Sequence, residues 1–351
     1  MIDKPIRLFT ITDGISPALH CRLTKIGAPW YEWVARPEEA DFLVFPANYE
    51  VAHELTDYYL VYFGGSPSDR AACLEAEAGL VQLSAVTGRK LLVFFHSDSA
   101  APVAVPNSII FRTSIVGSKK KPNEHAMPGF KEGSDFSEFP YEPEFLPWQP
   151  IPEVGFRGQA SPSSLAPGLK WRNGVNLLLN RLGINSPFDI SDNFGYLARR
   201  NALLAFQRHP GIRTHFTWSG PGDADAPVSK QRFRDEIFAY PYTLCASGFG
   251  NYSYRQFESM SAGRIPVLID TDIVLPLENK IDWNSLCCIV PEKQIPHIGD
   301  RLLEFHNEWK GERFVQLQRM IKETYRTCLG PESFFRQLSS YLSNDKTARD
   351  F

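Results

Sequence analysis

Residues 242–269, YTLCASGFGNYSYRQFESMSAGRIPVLI, carry the strongest structural signal in the sequence. Tyr242–Ala246 and Ile265–Ile269 are short apolar runs that predict buried strands. Between them lie a glycine-containing loop and a helix that we expect to be capped by Ser253 and ended by Gly263. Strand, loop, helix and strand in this order form a βαβ unit, and the N-terminus of its helix is a suitable site for an anion.

Two oppositely charged side chains lie near the start of this helix. Arg255 is in the first turn, where a cation opposes the helix dipole, and Glu258 follows three residues later on the same face. A guanidinium matches phosphate oxygens, and a carboxylate accepts hydrogen bonds from two neighbouring hydroxyl groups. The pair therefore suits a ligand with a diphosphate and a ribose. An ordinary ion pair on a solvated helix explains the same spacing equally well.

The first half of the chain alternates apolar runs with helical segments. We predict strands at residues 6–11, 40–45, 90–95 and 108–111. A helix over residues 69–87, closed by Gly88, lies between the second and third of them. This alternation predicts a parallel sheet covered by helices, whose ligands bind at the carboxyl ends of the strands. The polar residues expected at that edge are Asp13, Asn48, His96 and Asp98.

A proline- and glycine-rich stretch, residues 116–150, interrupts this pattern and predicts a connection between two domains, residues 1–150 and 151–351. In the second domain we predict strands at residues 153–156 and 214–218, and helices at residues 194–207, from Ser229 onward and at 332–342.

Length and composition indicate how many domains the chain forms and which partners and locations are expected. The 351 residues suffice for two domains, and 37 Lys and Arg against 40 Asp and Glu leave no broad basic field, so nucleic acid is not expected as a partner. The N-terminus predicts neither a secretory signal nor a membrane anchor, although peripheral association with a membrane stays open. The six cysteines lack C-x-x-C or zinc-type spacing, which favours a reducing, cytoplasmic location.

Residues 252–267, YSYRQFESMSAGRIPV, resemble the signature of exostosin-family glycosyltransferases, S-x-R-F-x-E-A-x-x-A-G-C-I-P-V. Two departures are Gln256, inserted where the family often has Phe directly after Arg, and Arg264, where it has a small residue or Cys. Nearly all of the similarity lies in the second domain. It continues, in family order, through Gly155–Gln159, Arg200–Leu203, Val274–Pro276, Ile281–Trp283 and Val290–Pro296.

This resemblance implies an α/β fold of two facing Rossmann-like domains, the GT-B type, with a deep cleft between them. It implies transfer of a sugar, with inversion, from a UDP-sugar or related donor to a glycan or glycoconjugate acceptor. In this fold the last helix often crosses back to the first domain, whereas the sequence is equally compatible with a helix that stays on its own domain. The alternatives are a fucosyltransferase-like GT-B enzyme that uses a GDP-sugar and a catalytically silent carbohydrate-binding homologue.

The resemblance and the loop–helix pattern together assign a nucleotide-sugar site to the second domain. Its expected residues are Arg157, Arg200, Ser247, Gly248, Gly250, Tyr252, Ser253, Arg255 and Glu258.

An inverting transfer also needs a base to take the proton of the acceptor hydroxyl. Asp98 and His96 are the preferred candidates, followed by Asp13. Each also has a local explanation, which is an Asx turn for Asp13 and capping of the next element for the other two.

Asp270-Thr271-Asp272 has the D-x-D form that bridges a metal in a different glycosyltransferase fold. Because it follows a predicted strand and precedes the family-like Leu275-Pro276, we interpret it as a turn. The histidines show no H-E-x-x-H arrangement. The sequence therefore predicts a metal-independent transferase without a cofactor, whose partners are the nucleotide-sugar donor and the glycan acceptor.

Overall fold

A computed structural model of the chain describes residues 4–20, 23, 29–53, 65–130, 143–158, 194–218, 227–248 and 250–344. It contains two parallel β-sheets, one of six strands and one of five, with helices packed on them. The predicted α/β fold with two parallel, Rossmann-like sheets is confirmed. No helix in the described ranges is long and apolar enough to cross a membrane.

The first sheet has the order β2-β1-β3-β4-β5-β6. Its strands are β1 (Ile6–Phe9), β2 (Tyr31–Trp33), β3 (Phe42–Val44), β4 (Leu91–Phe95), β5 (Ser108–Arg112) and β6 (Glu124–Ala126). All residues of β4 and β5 are buried, as expected for central parallel strands. The α-helices described in this half are α1 (Tyr49–His53) and α2 (Pro67–Thr87), and α2 ends at Gly88 in the left-handed conformation.

The second sheet has the order β11-β10-β9-β7-β8. Its strands are β7 (Glu153–Gly158), β8 (Arg213–Trp218), β9 (Tyr242–Cys245), β10 (Ile265–Asp270) and β11 (Cys288–Pro291). The strand order reverses between β7 and β9, so a crevice opens at the carboxyl ends of these two neighbours. The helices are α3 (Phe194–Arg208), α4 (Pro227–Ala239), α5 (Tyr254–Ser261), α6 (Trp283–Leu286), α7 (Ile298–Glu308), α8 (Glu312–Thr324) and α9 (Pro331–Asn344).

The last helix, α9, contacts the first sheet. The Tyr31 hydroxyl on β2 donates to the Phe335 carbonyl oxygen at 2.6 Å, and the Phe335 ring lies 5.8 Å from that of Phe94 on β4. Phe94, Phe335 and Phe257 of α5 belong to one buried apolar cluster that includes side chains of both sheets. This shared core ties the two halves together along the side formed by α9.

Three details differ from the sequence analysis. Helix α4 begins at Pro227, so Ser229 lies inside it rather than at its N-cap. Residues 116–150 are not purely a connection, because β6 adds a sixth strand to the first sheet. The edge strand β2 was not predicted, since its three residues Tyr31–Trp33 include an exposed Glu and carry no apolar run.

Candidate functional site

Two arginines meet at the crevice between β7 and β9. Arg157 lies near the end of β7. Arg255, in the first turn of α5, donates from Nη2 to the backbone carbonyl oxygen of Arg157 at 2.5 Å. The Arg255 guanidinium lies 4.3 Å from the ring centre of Phe156 and 5.0 Å from that of Phe233. Both arginines are half-buried. Stacking and the hydrogen bond therefore hold the Arg255 fork against the end of β7.

A third arginine at this edge, Arg199 on α3, was not predicted. Its Nη2 donates to the Ser247 carbonyl oxygen at 3.0 Å, and its guanidinium lies 5.8 Å from the Phe156 ring centre. The start of α3 packs closely against the same loop, because a Cβ at Gly195 would lie 1.9 Å from the Ser247 carbonyl oxygen. The predicted residue, Arg200, is the next one on the helix and thus projects about 100° away. Because the two adjacent arginines carry the same charge, the sequence alone does not show which of them faces the loop.

A buried carboxylate, Glu236 of α4, lies near Arg157 and Arg255. Glu236 Oε1 occupies the space that a side chain at Gly155 would need, because a Cβ on Gly155 would lie only 2.2 Å from Oε1. Both carboxylate oxygens are shielded from solvent, and neither has a hydrogen-bond partner among the described residues. Burial raises the pKa of Glu236 to about 7, although the charges of Arg255 and Arg157 act in the opposite direction. Sequence reasoning missed Glu236, which looks like a solvated helix position beside Phe233.

The glycine-containing loop after β9 is held from both halves of the chain. Gly248 N–H donates to the Tyr252 carbonyl oxygen at 3.3 Å, and the Ser247 hydroxyl lies 2.9 Å from that of Thr271. Asn251, which was not predicted, donates from its backbone N–H to Ser114 Oγ at 2.9 Å and from Nδ2 to the Ile115 carbonyl at 2.8 Å. Phe249 lies outside the described residues.

Helix α5 begins and ends where the sequence predicts, with one correction. Ser253 occupies the N-cap position, but its side chain makes no capping hydrogen bond. Tyr252 before it is buried, and Gly263 after the helix adopts a φ of +68°. Glu258 is half-buried on α5. The side chain of Arg255, three residues before it, is directed to the end of β7.

Asp98 of the first half meets the glycine-containing loop after β9. Its carboxylate accepts hydrogen bonds from the Tyr252 hydroxyl and from the Gly250 backbone N–H. A Cβ at Gly250 would lie 2.8 Å from the backbone of Asp98, so only glycine allows this approach. The pKa of Asp98 is raised because burial outweighs the two hydrogen bonds.

His96, two residues earlier, is also held in place. Its Nε2 accepts the Phe130 backbone N–H at 3.1 Å and lies 3.4 Å from the Tyr254 hydroxyl. The Asn48 side chain binds its backbone on both sides, at 3.0 Å to the carbonyl oxygen and 2.9 Å to the N–H. A ring nitrogen that accepts a backbone N–H carries no proton itself, so His96 is neutral in this arrangement.

The third candidate base, Asp13, is exposed in the turn after β1, next to Gly14 with a φ of +76°. The structure thus brings Asp98 and His96 up to the loop of the second half, through Gly250, Tyr252 and Tyr254.

The D-x-D motif forms the predicted turn. Asp270 Oδ1 accepts the backbone N–H groups of Asp272 at 2.9 Å and of Ile273 at 3.1 Å. Asp272 Oδ2 accepts the Ser118 N–H at 2.8 Å, which links the turn to the first half. Within the described part of the chain, no group of three or more His, Cys, Asp or Glu side chains is arranged to hold a metal.

Comparison with known families identifies this region. Residues 199–305 match the Exostosin GT47 domain, which confirms the resemblance found in the sequence. The match contains Arg199, Glu236 and Arg255, and it leaves Asp98 and His96 outside.

Curated relatives are similar over the same part of the chain. A probable glucuronoxylan glucuronosyltransferase, IRX7, from Arabidopsis thaliana is 32% identical over 94 residues, which are 26% of this chain and 21% of that protein. The probable glucuronosyltransferase 47 A of Physcomitrium patens is 36% identical over 23% of this chain and 17% of its own length. A probable β-1,4-xylosyltransferase, IRX10, from Arabidopsis thaliana is 36% identical over 19% and 16%. The similarity thus spans about a fifth of the length of these proteins.

Solved structures align more widely but loosely. The crystal structure of TarM aligns with 73% of this chain and 51% of its own, at 10% identity and a TM-score of 0.37. A glycosyltransferase from Rickettsia africae ESF-5 aligns with 98% of this chain and 100% of its own, at 8% identity and a TM-score of 0.38.

Proposed function

Because this chain carries an exostosin GT47 domain, we propose that it is a glycosyltransferase that moves a sugar from a nucleotide-sugar donor to a glycan or glycoconjugate acceptor. A UDP-sugar is the proposed donor and inversion the proposed outcome at the anomeric carbon. The relatives whose names describe glucuronosyl and xylosyl transfer support the reaction class.

The observation that carries this proposal is the meeting of Arg157, Arg199 and Arg255 at the carboxyl ends of β7 and β9. Ligands of parallel sheets bind where the strand order reverses, and guanidinium groups match phosphate oxygens in charge and geometry. A nucleoside diphosphate is the product that leaves a nucleotide sugar, so its negative charge needs stabilisation here. The predicted members Ser247, Gly248 and Glu258 line the same loop and helix.

Asp98 is the proposed base. It lies against the donor-side loop through Gly250 and Tyr252, and its raised pKa brings the carboxylate closer to the basicity that proton abstraction requires. His96 has its Nε2 engaged with the Phe130 N–H, which favours a positioning role for it.

Catalysis without a metal is part of the proposal. The arginines neutralise a leaving diphosphate, while the carboxylates of Asp270 and Asp272 are used by the backbone of their turn and of residue 118. A reducing, cytoplasmic location stays the expectation from cysteine usage.

A ligand screen on the full chain tests the function. We expect UDP or a UDP-sugar to raise the melting temperature, since a ligand at 100 times its dissociation constant stabilises the fold by about 2.7 kcal/mol. Stabilisation by GDP-sugars instead would favour the fucosyltransferase-like alternative, and binding without transfer would favour the silent homologue. Failure of every nucleotide and nucleotide sugar to bind would contradict the proposal. Transfer that stops in EDTA and resumes with manganese would contradict its metal-independent part.

A further inference from the structure

The environment of Glu236 is unusual for a carboxylate. It is packed onto the bare backbone of Gly155, with no hydrogen bond to either oxygen from the described residues. Burying a charged group without hydrogen bonds costs free energy, and an apolar side chain would avoid that cost. A role in folding therefore does not explain the residue.

The charges that face Glu236 come from two elements, β7 and α5. Arg157 of β7 and Arg255 of α5 favour its ionised form, while their own Nε atoms are buried without a partner in the described part of the chain. Tyr240, just after α4, and Cys245 at the end of β9 also sense its charge, and both are neutral near pH 7 because burial raises their pKa. The carboxylate therefore acts mainly on the two arginines.

An anion bound by the same two arginines would lie next to this carboxylate. Repulsion between like charges favours the neutral acid, so the anion raises the pKa of Glu236 further, and the ionised carboxylate weakens the anion's binding by the same amount. With a pKa of about 7 in the empty site, Glu236 is partly protonated at neutral pH. The proton that it takes up comes from solvent.

We propose that Glu236 competes with the donor's diphosphate for Arg157 and Arg255, so that the donor binds together with a proton taken up by Glu236. This inference rests on the proposed function, because it requires a diphosphate at this edge of the sheet. This competition makes the affinity for the donor fall as pH rises through the neutral range, so Glu236 is a pH-sensitive group of the donor site.

Isothermal titration calorimetry on the full chain tests this, with UDP-glucose and GDP-glucose as probes, because their diphosphate diesters do not titrate between pH 6 and pH 8. For the wild type we expect proton uptake on binding, measured in buffers of different ionisation enthalpy, and an affinity about fivefold lower at pH 8 than at pH 6. Glu236→Gln should lose both effects and bind about fivefold more tightly than wild type at pH 8. Asp235→Asn, an exposed neighbour on α4, is the matched control and should behave as wild type.

Three results would overturn the inference while leaving the function standing. They are wild-type binding without proton uptake, an unchanged pH dependence in Glu236→Gln, and weaker binding by that variant at both pH values, which would make the carboxylate a direct ligand contact. The proton count uses the wild type, so it does not depend on the variant folding. If the wild type binds neither probe nor any other nucleotide sugar, the proposed function fails and this inference fails with it.

Discussion

At the scale of single residues, Arg255 shows why a charge can stand where the helix dipole disfavours it. Its guanidinium is stacked on Phe156 and donates to the Arg157 carbonyl, so contacts with β7 compensate for its place in the first turn of α5. These contacts also fix the fork in one orientation before a ligand arrives. A preorganised fork loses less entropy when it binds a phosphate than a solvated arginine would.

Arg255→Ala should therefore weaken binding of the nucleoside diphosphate by about 1.5–3 kcal/mol, the value for a charge-assisted contact. Titration calorimetry with UDP or GDP, whichever binds the wild type, measures the change. Arg301→Ala is the matched control, because Arg301 forms an exposed ion pair with Glu304 at 2.8 Å on α7. Equal affinities of wild type and Arg255→Ala would show that the guanidinium only packs α5 onto β7 and does not bind the diphosphate.

At the scale of elements, the packing of α4 on β7 depends on the missing side chain of Gly155. A Cβ there would lie 2.2 Å from Glu236 Oε1 and 2.8 Å from the Tyr240 ring. We expect Gly155→Ala to reduce the free energy of unfolding by about 1–3 kcal/mol, as measured by urea denaturation. In a double-mutant cycle, Glu236→Ala should recover part of that loss because it removes the nearer obstacle. Strictly additive effects would show that the two positions do not compete for space.

The central strands and the ends of two helices could be predicted because short apolar runs and glycines mark them in the sequence. Short apolar runs such as Leu91–Phe95 and Ile265–Ile269 are typical of buried parallel strands. Gly88 and Gly263 follow helices in the left-handed conformation, which glycine adopts at little cost. The edge strands β2 and β6 have only three residues each, with Glu or His among them, so no pattern identifies them.

The site was only partly predictable, for a different reason. The loop and Arg255 carry a local signal, since glycines and a cation at a helix start are visible in one short stretch. Arg199 and Glu236 reach the site through the crossing of α3 and α4 over the sheet. Which face of a helix meets a given strand end depends on tertiary packing, so a charged residue on either helix looks like a solvated position in the sequence.

At the scale of the whole molecule, the loop after β9 joins the two halves at the candidate site. Asn251 binds Ser114 and Ile115, and the turn at Asp272 binds Gly117 and Ser118 from the first half. The loop that contacts Arg199 through Ser247 thus contacts the first half through Asn251. A shift of this loop would therefore change contacts with both halves, because Ser247 contacts Arg199 and Asn251 contacts Ser114 and Ile115.

This arrangement predicts a division of labour between the halves. If Asp98 removes the acceptor's proton, Asp98→Asn should lower turnover by about 10²–10⁴-fold, because the amide cannot accept that proton. Donor affinity should stay near that of the wild type, since the amide oxygen still accepts hydrogen bonds from Gly250 and Tyr252, and the arginines of the donor site are untouched. Steady-state kinetics and calorimetry on the same preparations measure the two quantities separately.

Two further variants decide among the candidate bases. Asp13→Asn alters an exposed carboxylate in a turn and should keep near-normal turnover. His96→Ala removes the acceptor of the Phe130 N–H, so it should raise the Michaelis constant for the acceptor more than it lowers turnover, as a positioning residue would. A large loss of turnover in His96→Ala with Asp98→Asn unaffected would transfer the role of base to the histidine. Near-normal turnover in all three variants would mean that none of these three side chains removes the acceptor's proton. The base would then be a group outside this edge of the first sheet.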